Sequence, residues 1–271
     1  MIRRRWTILL ALLLTAALPA CDIEFDPPAV IKTQRFLGIR VEPLEAAPGD
    51  EVTFTALVVD KDGSLYEGPV AWAVVAGNQM REEGEADAGV VAYLQTGPED
   101  PFVWTVPAWD ELTAQFGPLE RDGSLLTVAA AAFKGGDPQG EPLTAFKLFV
   151  LADRERKRYV NPRIEKMTVL DDRGVIVASD EDGRYNLRGD EATLWIEPDL
   201  DLKELTYHWF AAEQDFDPDF EKHQKIERGD KRTIEVYCVM RRVYRFRHGE
   251  NMFTYLTGMD WQSARLRFAA P

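Results

Sequence analysis

The sequence contains few of the residues on which enzymes and disulfide-rich proteins depend. Of its 271 residues only two are cysteines, Cys21 and Cys238, and only three are histidines. None of the histidines (His208, His223 and His248) belongs to a His-Glu-x-x-His or His-x-His cluster, and the chain has no Gly-x-Ser-x-Gly nucleophile motif. The sequence therefore predicts a protein that is not an enzyme.

Basic residues are scarce relative to acidic ones. Lysine and arginine total 32 against 46 aspartates and glutamates, which gives a formal net charge of −14. A surface with this charge repels phosphate backbones, so nucleic acid is excluded as an expected partner. A hydrophobic content of 45% and a charged content of 29% are otherwise typical of a folded globular protein.

One long apolar run stands at the N-terminus. Residues 6–18 follow three consecutive arginines and are too few to span a bilayer comfortably. The run ends in Leu18-Pro19-Ala20-Cys21, which resembles the lipobox of bacterial lipoproteins. Pro19 departs from the pattern, since small or β-branched residues are commoner there. An ordinary signal peptide and a transmembrane anchor are the alternatives, but neither requires a cysteine at this position.

The lipobox resemblance implies a location and an attachment. Residues 1–20 would be a cleaved signal peptide, Cys21 would carry a covalent lipid, and residues 21–34 would be a lipidated tether in which Pro27 and Pro28 disfavour regular structure. We expect a lipoprotein of the Gram-negative cell envelope, anchored in the outer membrane with a periplasmic or surface-facing body. Asp22 resembles the inner-membrane retention signal of enteric lipoproteins and leaves the inner membrane open.

After the tether, apolar residues recur at every second position. About seven short alternating segments, separated by turn signals, fill residues 35–153, which indicates an all-β unit of the sandwich type. A single short helix is expected at residues 109–116, between Pro107 and Gly117. The basic residues 154–160 are the predicted linker, and residues 161–271 begin the alternating pattern again.

The two halves share a sequence feature. Gly-Asp-Glu-Val-Thr at residues 49–53 is echoed by Gly-Asp-Glu-Ala-Thr at residues 189–193. A tryptophan inside an alternating strand follows each motif, Trp72 in the first half and Trp209 in the second. This spacing predicts two copies of one structural unit.

A Gly-Asp-Glu-[Val/Ala]-Thr strand start followed by a Trp-bearing strand resembles bacterial immunoglobulin-like and PKD-like domains. The resemblance implies two antiparallel immunoglobulin-like β-sandwiches in tandem, with Trp72 and Trp209 in their cores. Cys238 shares a strand face with apolar residues and is predicted to be a buried small hydrophobe. If Cys21 carries lipid, no intramolecular disulfide can form.

Acidic loops offer one candidate for a cation. Asp180 and Asp182 flank a turn, and a second loop spaces three carboxylates at alternate positions, Asp215, Asp217 and Asp219. Such carboxylates could hold Ca²⁺, although the second loop lacks the glycine and glutamate of an EF-hand. The alternative is that they are solvated turns of an acidic protein. No cofactor or other metal is expected.

One dense basic stretch lies near the C-terminus, where aromatic residues interleave Arg241, Arg242, Arg245 and Arg247. It indicates either a contact with an anion or an exposed strand whose arginines pair with nearby acids. The anion could be a phospholipid or lipopolysaccharide headgroup, or an acidic partner protein.

Together these features favour a non-enzymatic, lipid-anchored envelope protein that acts as a protein-interaction or assembly module. The alternative is a carbohydrate- or ligand-binding module of an envelope complex, which would use exposed aromatic residues such as Trp195, Tyr244 or Trp261. The expected partners are the membrane, through the anchor, and an unknown envelope protein or glycan.

Overall fold

A computed structural model of the chain describes residues 30–76, 91–95, 101–137, 140–153, 157–199, 204–212, 214, 216, 221–248 and 252–269. In these residues the regular structure is mostly β, as the sequence predicted. Within these described ranges the strands form four sheets, accompanied by one α-helix and one short 3₁₀ turn.

The elements of the first half are, in chain order, β1 (Val30–Ile31), β2 (Arg35–Glu42), β3 (Glu45–Ala46), β4 (Glu51–Val59), β5 (Val70–Ala76), β6 (Val91–Gln95), β7 (Phe102–Thr105), α1 (Trp109–Phe116), β8 (Ser124–Phe133), the 3₁₀ turn (Lys134–Gly136) and β9 (Pro142–Leu151). Helix α1 has the predicted bounds. The negative charges of Asp110 and Glu111 in the first turn interact favourably with the helix dipole. Gly117, with a φ of 81°, ends the helix.

The elements of the second half are β10 (Ile164–Asp171), β11 (Ile176–Val177), β12 (Arg184–Leu187), β13 (Glu191–Pro198), β14 (Leu205–Ala212), β15 (His223–Glu227), β16 (Thr233–His248) and β17 (Met252–Phe268). The motifs at residues 49–53 and 189–193 lie at the starts of β4 and β13, where a turn leads into each strand.

The two sheets of the first half and the two sheets of the second half share a common strand order. Sheets β2-β4-β7 and β3-β9-β8-β5-β6 make up what we call the N-terminal unit, and sheets β11-β10-β13-β15 and β1-β14-β16-β17-β12 the C-terminal unit. Strands β2, β4 and β7 correspond to β10, β13 and β15, and strands β5, β8 and β9 to β14, β16 and β17. In each unit the last strand also pairs in parallel with a short strand from early in that unit, β3 or β12.

Each unit has an apolar core between its two sheets. In the N-terminal unit Trp72 is buried, with its ring centroid 6.1 Å from that of Phe54, which in turn stacks on Phe102 at 5.2 Å. In the C-terminal unit Trp209 is buried opposite Cys238 on the neighbouring strand, and its indole N–H donates to the Glu221 carbonyl over 3.1 Å. Aromatic and aliphatic packing therefore joins the sheets in both units.

Two further apolar clusters lie where the units meet. The first joins strands of both units through Ile31, Leu37, Leu57, Val59, Phe210, Tyr237 and Val239, with Trp261 packed against them. The second places Phe246 and Leu256 of the C-terminal unit against Val150 and Ala152 of the N-terminal unit. Because each of these clusters contains buried side chains from both units, the two units form one body with a shared interior.

The connection between the units is fixed to both of them. The side-chain amide of Asn161 donates to the Val41 carbonyl (2.7 Å) and to Glu42 (2.8 Å), while its oxygen accepts from the Met259 N–H (3.0 Å). The buried carboxylate of Glu45 accepts from the Arg158 N–H over 2.7 Å. Hydrogen bonds therefore hold Arg158 of the predicted linker to the N-terminal unit, and Asn161, directly after the linker, to both units.

Strand β1 lies within residues 21–34, which the sequence assigned to the tether. Val30 and Ile31 pair in parallel with Ala211 and Ala212 of β14. At this edge β1 occupies the position beside β14 that β6 occupies beside β5 in the N-terminal unit. The end of the tether segment is thus a strand of the C-terminal unit, whereas Cys21, Pro27 and Pro28 lie outside the described residues.

Candidate functional site

The most prominent feature of the C-terminal unit is a long hairpin. Strands β16 and β17 pair without a register shift from Thr233 opposite Arg267 to His248 opposite Met252. Strand β14 accompanies β16 only as far as Arg242. The hairpin therefore extends beyond its sheet, and we call residues 243–247 and 253–257 the hairpin tip.

One side of the hairpin tip packs against the N-terminal unit. Phe246 and Leu256 are buried there against Val150 and Ala152. The Tyr244 hydroxyl donates to the Val160 carbonyl over 2.6 Å, and the Tyr244 ring meets the edge of the Tyr159 ring at 5.5 Å between centroids. This side of the hairpin tip is thus held by contacts with the N-terminal unit and with the connection between the units.

The opposite side of the tip is exposed. Arg245 lies directly opposite Tyr255, and Arg247 opposite Phe253, so all four side chains share one face of the antiparallel pair. The Arg245 guanidinium lies 3.6 Å from the centre of the Phe253 ring. Phe253 is 42% exposed and Tyr255 67% exposed. Together with the exposed Val243, these residues form what we call the arginine–aromatic face.

The four arginines singled out in the sequence do not form one cluster. Arg242 lies on the other face, where its guanidinium is 4.7 Å from the centre of the Tyr244 ring and 3.4 Å from Glu204. Arg241 is buried. Only Arg245 and Arg247 share an exposed face. Pairing with acids, the second interpretation of this stretch, is thus observed for Arg242.

The sequence reasoning missed Phe253 and Tyr255. Neither residue is unusual within its own strand, and each becomes informative only when the hairpin register sets it opposite an arginine. The Gly249-Glu250-Asn251 turn signal between two alternating segments could have suggested that register. An exposed pair of guanidinium groups flanked by aromatic rings can bind anionic groups at an apolar–water boundary.

A second exposed aromatic feature lies on the outer sheet of the C-terminal unit. Trp195 and His223 are directly opposite each other on β13 and β15, and their rings stack at 5.3 Å with an angle of 11° between planes. Trp195 is 42% exposed. Of the other aromatic residues considered for ligand binding, Trp261 is covered by the guanidinium of Arg40, 4.9 Å from its ring centre, and Tyr244 is half-buried.

In the acidic turn at residues 180–186, the carboxylate of Asp180 accepts hydrogen bonds from donors of the same turn. The Asp180 carboxylate accepts from the Arg184 N–H (2.8 Å), the Asn186 amide (2.8 Å) and the Asp182 N–H (3.0 Å). These donors, the Arg184 N–H foremost, lower the pKa of Asp180. Asp182 forms an ion pair with Arg184 at 2.9 Å. The other loop considered for calcium lies outside the described residues at Asp215, Asp217 and Asp219.

Within the described ranges, no group of three or more His, Cys, Asp or Glu side chains is placed to hold a metal ion. Cys238 is fully buried with a free thiol, and this burial raises its pKa. In that same part of the chain, no helix combines the length and apolar character needed to cross a membrane.

PorU is among the solved structures that are distantly similar to the chain. No family model matches the chain, and no curated protein matches it. Among solved structures, dimeric latent PorU from Porphyromonas gingivalis aligns with 89% of this chain at 9% sequence identity and a TM-score of 0.29. The chain spans 25% of the PorU chain. At this TM-score the likeness supports no conclusion about fold or function.

Proposed function

We propose that the chain is a non-enzymatic lipoprotein of the Gram-negative envelope, whose body is a pair of tandem immunoglobulin-like sandwiches that acts as an interaction or assembly module. The lipobox at residues 18–21 supports the anchor. The repeated strand order supports the domain type, since immunoglobulin-like folds also divide their strands between two packed antiparallel sheets. The outer membrane is the proposed location, and Asp22 leaves the inner membrane as the alternative.

The observation on which this proposal chiefly depends is the lipobox at residues 18–21, and the placement of β1 limits how far from the body a lipid on Cys21 can lie. Val30 follows Cys21 by nine positions and is already part of the C-terminal sheet. A fully extended chain of that length spans roughly 30 Å. A lipid on Cys21 would therefore hold the body close to the bilayer instead of at the end of a long flexible spacer.

The shared interior of the two units supports a role in recognition or assembly. Because Tyr237 and Phe210 of one unit are buried with Leu57 and Val59 of the other, the units cannot rotate independently without exposing apolar surface. Such a body presents surfaces on both units in a fixed relative position. This property suits a protein that binds partners through its exposed strands and loops.

Metabolic labelling with a palmitate analogue tests the proposal. We expect label on the wild-type protein in the membrane fraction, and no label on Cys21→Ala. The matched control is Cys238→Ala, which removes the other cysteine and should keep the label. Retention of residues 1–20 in the mature protein, or undiminished labelling of Cys21→Ala, would contradict the proposal.

The stacked pair of Trp195 and His223 favours carbohydrate binding as a second candidate function, since a flat exposed aromatic surface can pack against a sugar ring. A glycan array tests it. Binding should be lost in Trp195→Ala and kept in Ile176→Ala, which truncates another exposed apolar residue on the same sheet. A wild-type protein that binds no glycan on the array would remove this candidate.

A further inference from the structure

The direction of β1 shows toward which side of the body its N-terminal end points. Stepping back from Ile31 to Val30 moves from Ala212 to Ala211 along β14, and thus toward Leu205. Leu205 pairs with Arg242 of β16, next to the hairpin tip, whereas Ala211 pairs with Val236, farther from it. The N-terminal end of β1 therefore points toward the hairpin tip.

The tether before β1 and the part of the hairpin between β1 and the tip have the same number of residues. From Val236, level with Val30, to Arg245 the hairpin runs nine positions, or roughly 30 Å at the rise of a β-strand. Cys21 also precedes Val30 by nine positions. An extended tether is thus long enough to bring Cys21 level with Arg245. A tether extended in the direction set by β1 would place a lipid on Cys21 at the end of the molecule that carries the arginine–aromatic face.

The chemistry of this face fits a lipid surface. Arg245 and Arg247 are exposed cations on a chain whose net charge is −14, so an anionic bilayer attracts the tip and repels the acidic remainder. Phe253 and Tyr255 supply exposed rings beside the cations, and aromatic rings favour the boundary between headgroups and acyl chains.

We infer that the arginine–aromatic face lies on the anionic phospholipid surface of the membrane that holds the anchor. The inference rests on the proposed lipidation of Cys21. It assigns the body an orientation, with the hairpin tip toward the bilayer and the opposite end of the hairpin, near Thr233 and Arg267, away from it.

A spin label on the tip tests this orientation in the full acylated protein. Tyr255→Cys carries the label, which replaces an exposed aromatic ring, and the buried thiol of Cys238 does not compete for the reagent. Ser263→Cys is the matched control, because Ser263 is exposed on the same strand eight positions farther from the tip. The proteins are inserted in phosphatidylcholine vesicles containing about one third phosphatidylglycerol, the anionic lipid.

We expect an aqueous nickel chelate to reach the label at position 263 but not the label at position 255. Adding Arg245→Ala and Arg247→Ala should weaken the docking equilibrium about fivefold for each arginine, roughly 25-fold together. High salt should expose the tip in the same way. The matched control for charge is Arg267→Ala, at the opposite end of the hairpin, which should leave the tip protected.

Each outcome separates the two claims. An acylated protein that stays on the vesicles while the chelate reaches both labels equally contradicts the orientation alone. A protein without lipid on Cys21 contradicts the proposed function and the orientation with it. Protection at position 255 that is insensitive to salt and to both arginine substitutions would also overturn the inference, since the contact would then be with something other than an anionic surface.

Discussion

The hydroxyl of Tyr237 donates a 2.8 Å hydrogen bond to the main-chain carbonyl of Gly63, although 174 positions separate the two residues. Tyr237 lies on β16 of the C-terminal unit, and Gly63 lies in the turn that follows β4 of the N-terminal unit. The tyrosine is fully buried, and burial is the main cause of its raised pKa. A polar bond inside the apolar cluster thus sets the position of one unit on the other.

Replacing Tyr237 with phenylalanine tests the contribution of this bond. The substitution keeps the ring but leaves the Gly63 carbonyl without its buried donor, so we expect a loss of about 1–2 kcal/mol in the free energy of unfolding. Chemical denaturation measures it. Tyr255→Phe, at an exposed tyrosine, should change the value by less than about 0.5 kcal/mol. Equal effects of the two substitutions would show that the bond between the units contributes nothing.

Local patterns in the sequence were sufficient for several elements. The bounds of α1 followed from Pro107 and Gly117, and the starts of β4 and β13 followed from the repeated Gly-Asp-Glu motifs. These signals arise within a few residues of the element they specify. They could therefore be read without knowledge of the rest of the fold.

The contacts between the units could not be read in this way. Tyr237 alternates with core residues of β16, which alone predicts a solvent-facing side chain, and it is buried only because the N-terminal unit covers that face. Similarly, Val30 and Ile31 form a strand only through pairing with residues about 180 positions later. Long-range docking determines these features, and no local sequence signal encodes it.

The two core tryptophans predict how the body unfolds. We expect Trp72→Ala and Trp209→Ala each to lower the free energy of unfolding by about 3–5 kcal/mol, because each leaves a large cavity between sheets. Since the units share two apolar clusters, each substitution should shift one common transition. Calorimetry and tryptophan fluorescence measure this. Two separate transitions, only one of which moves in each variant, would show that the units are energetically independent.

The carboxylate of Asp171 should account for part of the loss of folding stability at acid pH. Its carboxylate accepts hydrogen bonds from the Val175 N–H (2.8 Å) and the Arg173 N–H (3.0 Å), and these donors, Val175 foremost, hold its pKa below the ordinary value. The resulting stability is present above the unfolded-state pKa of about 4 and disappears as the pH falls through the lower, folded-state pKa.

Thermal melts of Asp171→Asn between neutral pH and about pH 2 measure this contribution. The variant should melt below the wild type at neutral pH, and the difference should shrink as the pH falls below about 4. Asp172→Asn, at the more exposed neighbouring carboxylate, is the control and should lower the melting temperature at neutral pH less than Asp171→Asn does. A constant difference between Asp171→Asn and wild type at every pH would rule out the carboxylate charge as the cause.

Two glycines test how closely the connection between the units packs on the hairpin. A Cβ at Gly258 would lie 2.8 Å from the Val160 carbonyl oxygen and 3.3 Å from Cα of Asn161, both main-chain atoms. We expect Gly258→Ala to cost about 1–3 kcal/mol of stability. Gly229→Ala meets no atom within 4 Å and should be neutral or stabilise slightly. Equal melting temperatures for the two variants would contradict the close approach.

The last prediction concerns β1, on whose pairing with β14 the proposed orientation of the body depends. Ile31 is buried in the cluster between the units, whereas its neighbour Lys32 is exposed. Ile31→Ala should lower the free energy of unfolding by about 2–4 kcal/mol, and Lys32→Ala should have little effect. If β1 is loosened in this way, hydrogen exchange should rise along the edge of β14 that it covers. Unchanged stability and unchanged protection of β14 in Ile31→Ala would mean that the segment after Cys21 is not held by the body, and the hairpin tip would then have no fixed position relative to the lipid.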